Sequence, residues 1–246
     1  MHYYNALFSV GVKKMNSVVL EATSEYLGEL SRFGYLLEYL GFKVNILERI
    51  SLDELTKGKV LIIAAKRYEK YTIDEVSLIL RAIREGVGAL ILLDPESSPD
   101  FDSLQSILSE AGIFISGHIV KERSDENLVR LTNINRNHRI TIGIREIITG
   151  PPKVLMIAGS VGQKLSVLVR SGKEHDPPEA IVSCAGQLGN GKIVVFSSWS
   201  IASNNLIDRG HNALFLVSST YWLANLMPKE GILDKIDEAL GWKPEM

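Results

Sequence analysis

Residues 72–94, TIDEVSLILRAIREGVGALILLD, hold a complete helix-to-strand unit. Thr72 and Glu75 have the spacing of a capping box, in which the helix start satisfies its own backbone donors. Val76, Ile79, Leu80 and Ile83 then recur at helical spacing. Gly86 stands where a helix end takes a left-handed residue. ALILLD (89–94) follows as an unbroken apolar run, which predicts a strand covered on both faces and therefore a parallel sheet.

The same unit repeats outward from this stretch. Upstream, SVVLEA (17–22), KVNILE (43–48) and KVLIIAA (59–65) read as strands. Between the first two, GELSRFGYLLEYLG carries Leu27, Leu30, Phe33, Leu37 and Leu40 near helical spacing and closes on Gly41. Ser51 and Glu54 form a second capping-box pair for a short helix. Downstream, DSLQSILSEAG is a helix and IFISG the strand after it. From about 115 to 190 helical periodicity fades, and ENLVRLTN, PPKVLMIA, KLSVLVR and EAIVSCAG read as short strands joined by Gly, Pro and Asn turns. KIVVFSS (192–198) returns as a core strand, HNALFLVSSTYWLANLM (211–227) is a mostly apolar helix, and ILDKIDEALGW closes the chain as an amphipathic one. The expected class is α/β: a mainly parallel sheet with helices on both faces and an antiparallel edge extension. One domain is expected over 1–228, with 115–190 as its β-rich extension, followed by a helical tail over 229–246.

Composition bounds the function. The chain has 246 residues, 46% hydrophobic and 23% charged, enough to bury a sizeable core. A net charge of -2 gives no basic footprint for nucleic acid. The single cysteine, Cys184, excludes an intramolecular disulfide framework and reads as a small buried hydrophobe. His2, His118, His138, His175 and His211 are scattered without metal-ligand spacing, so neither a metal nor a cofactor is expected. The start of the chain lacks a signal-peptide pattern, and no apolar run approaches the roughly 20 residues of a membrane span, which makes cytoplasm the expectation. Scarce Gln with abundant Ile, Lys and Glu points to a thermophilic source.

Ligands of open parallel sheets bind outside the carboxyl ends of the strands. The candidate rim there comprises Thr23, Ser24, Lys66, Arg67, Asp94, Glu96, Ser97, Ser198, Trp199 and Asn204. It would suit a small polar ligand. A hydrolase-type site would pair Ser198 or Ser200 with His138 or His211, with Asp94 or Glu96 orienting the base. The competing reading is that Asp94 ends a strand before Pro95. A sensor would instead need an apolar pocket near Trp199 and Tyr68. AGSVG (158–162) resembles a nucleophile elbow, but the alternating residues after it predict a hairpin where an elbow needs a helix. GQLGNG (186–191) precedes a strand and reads as a tight turn, not a phosphate cradle.

In order, GFKVNIL, TIDEVSLILRAIREGVGALILLD, NHRITIGI and GNGKIVVFSSWSIASNNLIDRGHNALFLVSSTYWLA resemble the class I glutamine amidotransferase-like, flavodoxin-like fold, a three-layer sandwich. The resemblance is closest to the branch found in auxiliary proteins of gliding-motility-type ABC transport systems and in an intraflagellar transport protein. It covers roughly 17–226. The departures lie in the chemistry. Asp94-Pro95 stands where the family's elbow cysteine is expected, and Trp199 and Ser200 stand near its His and Glu positions. Gly86-Val87-Gly88 replaces a Gly-Gly, His138-Arg139-Ile140-Thr141 replaces His-Pro-Ile-Thr, and Ser197-Ser198-Trp199 replaces a Gly-Asp-Ser ending. Asn212 matches the branch's helix-start asparagine and reads as a cap.

The resemblance therefore implies an amidotransferase-like scaffold without amidotransferase chemistry. The expectation is a non-catalytic binding or scaffold domain with a protein partner or a small polar ligand. A homodimer is expected through Trp222, Trp242 and the last helix. The alternative is the Ser/His/acid hydrolase described above.

Overall fold

The computed structural model describes residues 16–22, 24–47, 49–64, 71–96, 103–123, 127–158, 165–228 and 230–241. The chain begins with β1 (Ser17–Ala22), α1 (Ser24–Glu29), α2 (Ser31–Tyr39) and β2 (Lys43–Ile46). It continues through α3 (Leu52–Lys57), β3 (Val60–Ala64), α4 (Ile73–Glu85), β4 (Gly88–Leu92) and α5 (Ser103–Glu110). The β-rich stretch holds β5 (Ile113–Ile119), β6 (Val129–Leu131), β7 (Asn133–Ile134), β8 (Ile147–Thr149), β9 (Lys153–Ile157), β10 (Ser166–Arg170) and β11 (Ile181–Leu188). β12 (Gly191–Phe196), α6 (Asn212–Leu223) and α7 (Ile232–Gly241) complete the fold, with 3-10 turns at Arg139–Thr141 and Trp199–Ala202.

Five strands are parallel, in the spatial order β2-β1-β3-β4-β12. This is the flavodoxin-like order, with its fifth strand supplied only after the chain has built the β-rich stretch. Beyond β12 the sheet turns antiparallel through β11, β10 and β7. The strand–helix alternation stops at α5: IFISG forms β5, which pairs antiparallel with β9 instead of joining the parallel set. ENLVRLTN splits in two, since β6 leaves the main sheet to pair with β8 while β7 edges β10.

The parallel strands carry a core on each face, as their continuous apolar runs require. Val60, Ile62, Ala64, Leu90, Leu92, Val194 and Phe196 face α2, α6 and α7. Leu61, Ile63, Ala89, Ile91, Ile193 and Val195 face α3, α4 and α5. The sheet is thus the middle of three layers.

Local signals in the sequence act as expected at several points. The Thr72–Glu75 capping box forms in both directions, and the Ser51 side chain accepts from the Glu54 N–H. Gly41 and Gly86 take positive φ at the ends of α2 and α4. Gly189 and Asn190 make the two-residue turn between β11 and β12. That hairpin docks on the end of α4 so closely that a Cβ on Gly191 would lie 2.1 Å from the Ile83 carbonyl oxygen.

Two expectations need correction. The helix expected through 28–41 is broken at Leu30 into α1 and α2. The reason is Asn204, whose Nδ2 donates to the Gly28 carbonyl and whose Oδ1 accepts from the Arg32 N–H. Its backbone N–H donates to the Glu29 carbonyl at 2.7 Å. A side chain from far along the chain therefore supplies the cap that Leu30 cannot. Asn212, expected to cap α6, does not do so. Its Oδ1 accepts from the Ile148 N–H, and its Nδ2 donates to the carbonyls of Ile148 and Leu206. It acts as a short surrogate strand against β8. α6 itself has ten of its twelve residues buried, the pattern of a central helix, with only Ser218 and Trp222 half-buried.

Candidate functional site

The carboxyl ends of the parallel strands form the expected crevice edge. At the end of β1, Glu21 is buried and accepts a hydrogen bond from the Tyr71 hydroxyl. Past β4, Asp94 is buried, and its Oδ1 accepts from the Glu96 N–H at 2.8 Å. This is the local turn by which an aspartate ends a strand, and Glu96 itself points to solvent. Thr23, Lys66, Arg67 and Ser97 lie outside the described residues, as do the Ser24 side chain, Tyr68, Trp242 and most of AGSVG.

The serine run after β12 is woven into the sheet. The Ser197 N–H donates to the Val182 carbonyl, and the Lys153 N–H donates to the Ser197 carbonyl, each at 3.1 Å. The Trp199 N–H donates to the Leu93 carbonyl at 2.7 Å, which ties the end of β12 to the end of β4. Ser200 Oγ accepts from the Gly150 N–H at 2.8 Å and lies 2.9 Å from both Thr149 Oγ1 and Ser198 Oγ. A hydroxyl offers one proton and two lone pairs. Those three contacts therefore use all of the capacity of Ser200.

The structure forms no hydrogen bond between either candidate base and these serines. The His138 ring meets Trp222 edge-on with centroids 5.4 Å apart, and the Trp222 carbonyl accepts from Lys192 Nζ. Lys192 begins β12 and Ser198 follows its end, a separation of roughly 20 Å along an extended strand. The expected Ser198–His138 pairing is therefore not formed. His138 Nδ1 instead accepts from the Ile140 N–H at 3.3 Å, capping the 3-10 turn. Burial first and the Lys192 charge second hold the His138 pKa below the usual histidine value. His211 does lie at the serine end, before α6, but its Nδ1 is buried without a hydrogen-bond partner. Among the described residues neither imidazole is hydrogen-bonded to a serine. Cys184 is buried within β11, and burial pushes its thiol up to about 12, the opposite of what a nucleophile needs.

Of the remaining rim residues, Trp199 packs on the core and the Asn204 amide is committed to α1 and α2. Among the described residues no cluster of His, Cys, Asp or Glu is placed to hold a metal ion, and no helix is long and apolar enough to cross a membrane. Sequence reasoning missed Thr149 and Lys153, a lysine only 3% exposed in β9. Neither carries a local mark: each sits in a short strand whose neighbours are decided by the fold. Tyr68, beside which a sensor would need its pocket, lies outside the described residues; an apolar cavity lies beside Trp222, at the opposite end of β12 from Trp199.

No protein-family model and no curated protein matches the sequence. By structure the chain is similar to the mmIFT52 N-terminal domain, with a TM-score of 0.71 and 18% identity, over 84% of this chain and 97% of that one. It is also similar to a putative ThuA-like protein from Bacteroides uniformis, with a TM-score of 0.59 and 14% identity over 90% and 95% of the two chains. A third similar structure is the cytoplasmic protein STM1381 from Salmonella typhimurium, with a TM-score of 0.56 and 14% identity over 85% and 99%. At these identities the likeness is one of fold.

Proposed function

We propose that this chain is a non-catalytic binding or scaffold domain on an amidotransferase-like fold. The observation that carries the reading is the saturated hydroxyl of Ser200, bonded to Thr149, Gly150 and Ser198 where a catalytic edge would hold a group in reserve. Nucleophilic catalysis needs a serine or cysteine in contact with an oriented base. Here Ser198 and Ser200 bond to each other, and Ser200 also to Thr149 and the Gly150 N–H, while His138 serves a turn at the far end of β12. The sequence resemblance supports the same reading, since it implies Asp94-Pro95 where class I amidotransferases carry their elbow cysteine, and Trp199 and Ser200 near the other two triad positions. A protein partner is the reading's natural counterpart, since one chain of similar fold is a terminal domain of a larger protein.

The test is direct. Purified protein incubated with glutamine and with simple nitrophenyl esters is expected to show no turnover above the blank. Saturable hydrolysis that disappears in Ser198→Ala or Ser200→Ala would overturn the proposal.

A further inference from the structure

The end of α6, the 3-10 turn Arg139–Thr141, the start of β12 and the start of α7 enclose a cavity of about 520 Å³. That lies within the roughly 300–1,000 Å³ of small-molecule sites. Its walls are apolar, with Leu214, Trp222, Leu226 and Ile232 among them. Three of the protein's exposed large apolar side chains also line it: Ile142 at 63%, Met227 at 68% and Leu233 at 53% exposure. Single exposed apolar residues are ordinary, but three converging on one cavity mark a binding surface.

The polar groups of this cavity are unbalanced. Arg139 and Lys192 both line it, and among the described residues no carboxylate does. Lys192 Nζ donates to the Trp222 carbonyl and to Asn225 Oδ1, and lies 4.6 Å from the Trp222 ring centroid. All three of these partners are neutral. Arg139 makes no ion pair among the described residues. Burial and the nearby Arg139 charge lower the Lys192 pKa, the mark of two cations sharing one partly desolvated space. An anion placed there would relieve that repulsion.

We propose that this cavity binds a small amphipathic carboxylate, its apolar part against Trp222, Leu226 and Leu233 and its carboxylate between Arg139 and Lys192. The site lies at the amino end of the parallel strands, opposite the edge where this fold class usually binds ligands, and it requires no catalysis.

The experiment titrates the full chain with octanoate and decanoate below their micelle concentrations, following tryptophan emission and heat, with 1-octanol as the uncharged control. Saturable binding of both acids is expected, with an emission change lost in Trp222→Phe and kept in Trp199→Phe. Octanol should bind roughly tenfold or more weakly than octanoate, the value of one charge-assisted contact. Arg139 is exposed, so Arg139→Gln should fold normally and weaken octanoate by about the same factor while leaving octanol unchanged. Equal affinity for octanol and octanoate, no effect of Arg139→Gln, or no saturable binding of either acid would overturn the proposal. So would a concentration-dependent dimer that buries Trp222 and that octanoate does not dissociate.

Discussion

The two ends of the parallel strands are built on opposite plans. At the carboxyl end, Ser198, Ser200 and Thr149 form a hydrogen-bonded chain anchored on the Gly150 N–H, with Ser197 Oγ and His211 Nδ1 buried beside it without a hydrogen-bond partner. At the amino end, apolar side chains surround a cavity, and neither of its two cations makes an ion pair among the described residues. The first end is a seam that joins the parallel half of the sheet to the antiparallel half. The second is an apolar surface with Arg139 and Lys192 among its lining residues. The two ends therefore differ in how their polar groups are set: a hydrogen-bonded chain of hydroxyls at one, two cations beside an apolar cavity at the other.

The largest effect expected from breaking the seam is at Asn212. Asn212→Ala removes three hydrogen bonds to backbone groups of Ile148 and Leu206 at a fully buried position. Leaving such groups unsatisfied costs about 3 kcal/mol or more. Urea unfolding should show a lowered midpoint with an unchanged slope. A loss below about 1 kcal/mol would mean that β8 does not depend on this clamp.

Ser200→Ala is expected to rank next. It orphans the Gly150 N–H and breaks the link between Thr149 and Ser198, at a cost of about 1–3 kcal/mol. Were the same change neutral for stability yet damaging to a bound ligand, the seam would have to be reread as a site.

The smallest effect is one of pH, at the opposite end. His138 has a depressed pKa in the folded protein, through burial and then Lys192. As pH falls, the unfolded chain takes up this proton first, near the ordinary value of 6.5. The ring's contribution to stability is therefore complete above about pH 6.5 and is lost between there and its lower folded value. His138→Gln should flatten that part of the stability–pH curve, beside a pH-independent offset from the lost turn cap and Trp222 contact, as followed by thermal unfolding.

Much of this molecule was legible in its sequence because the signals are local. The capping box at Thr72, the unbroken run ALILLD and the Gly189-Asn190 turn each act through neighbours in the chain, and they placed the parallel sheet and the β11–β12 hairpin. The candidate site was less legible because its groups are joined across the fold. Ser198 and Ser200 were visible as polar residues after a strand, but Thr149 sits in a separate strand some fifty positions earlier. Asn212 and Asn204 illustrate the same limit. Each has the composition of a local cap, and each spends its amide on a distant segment instead. Chemistry alone allows His138 to pair with Ser198, and only the topology puts them at opposite ends of β12.

The measurement that bears most directly on the seam is covalent labelling with a fluorophosphonate, which attacks activated serines, followed by peptide mass spectrometry. The account predicts no adduct on Ser197, Ser198 or Ser200 in the folded protein. An adduct on Ser198 or Ser200, formed only while the protein is folded, would contradict it and restore a catalytic edge.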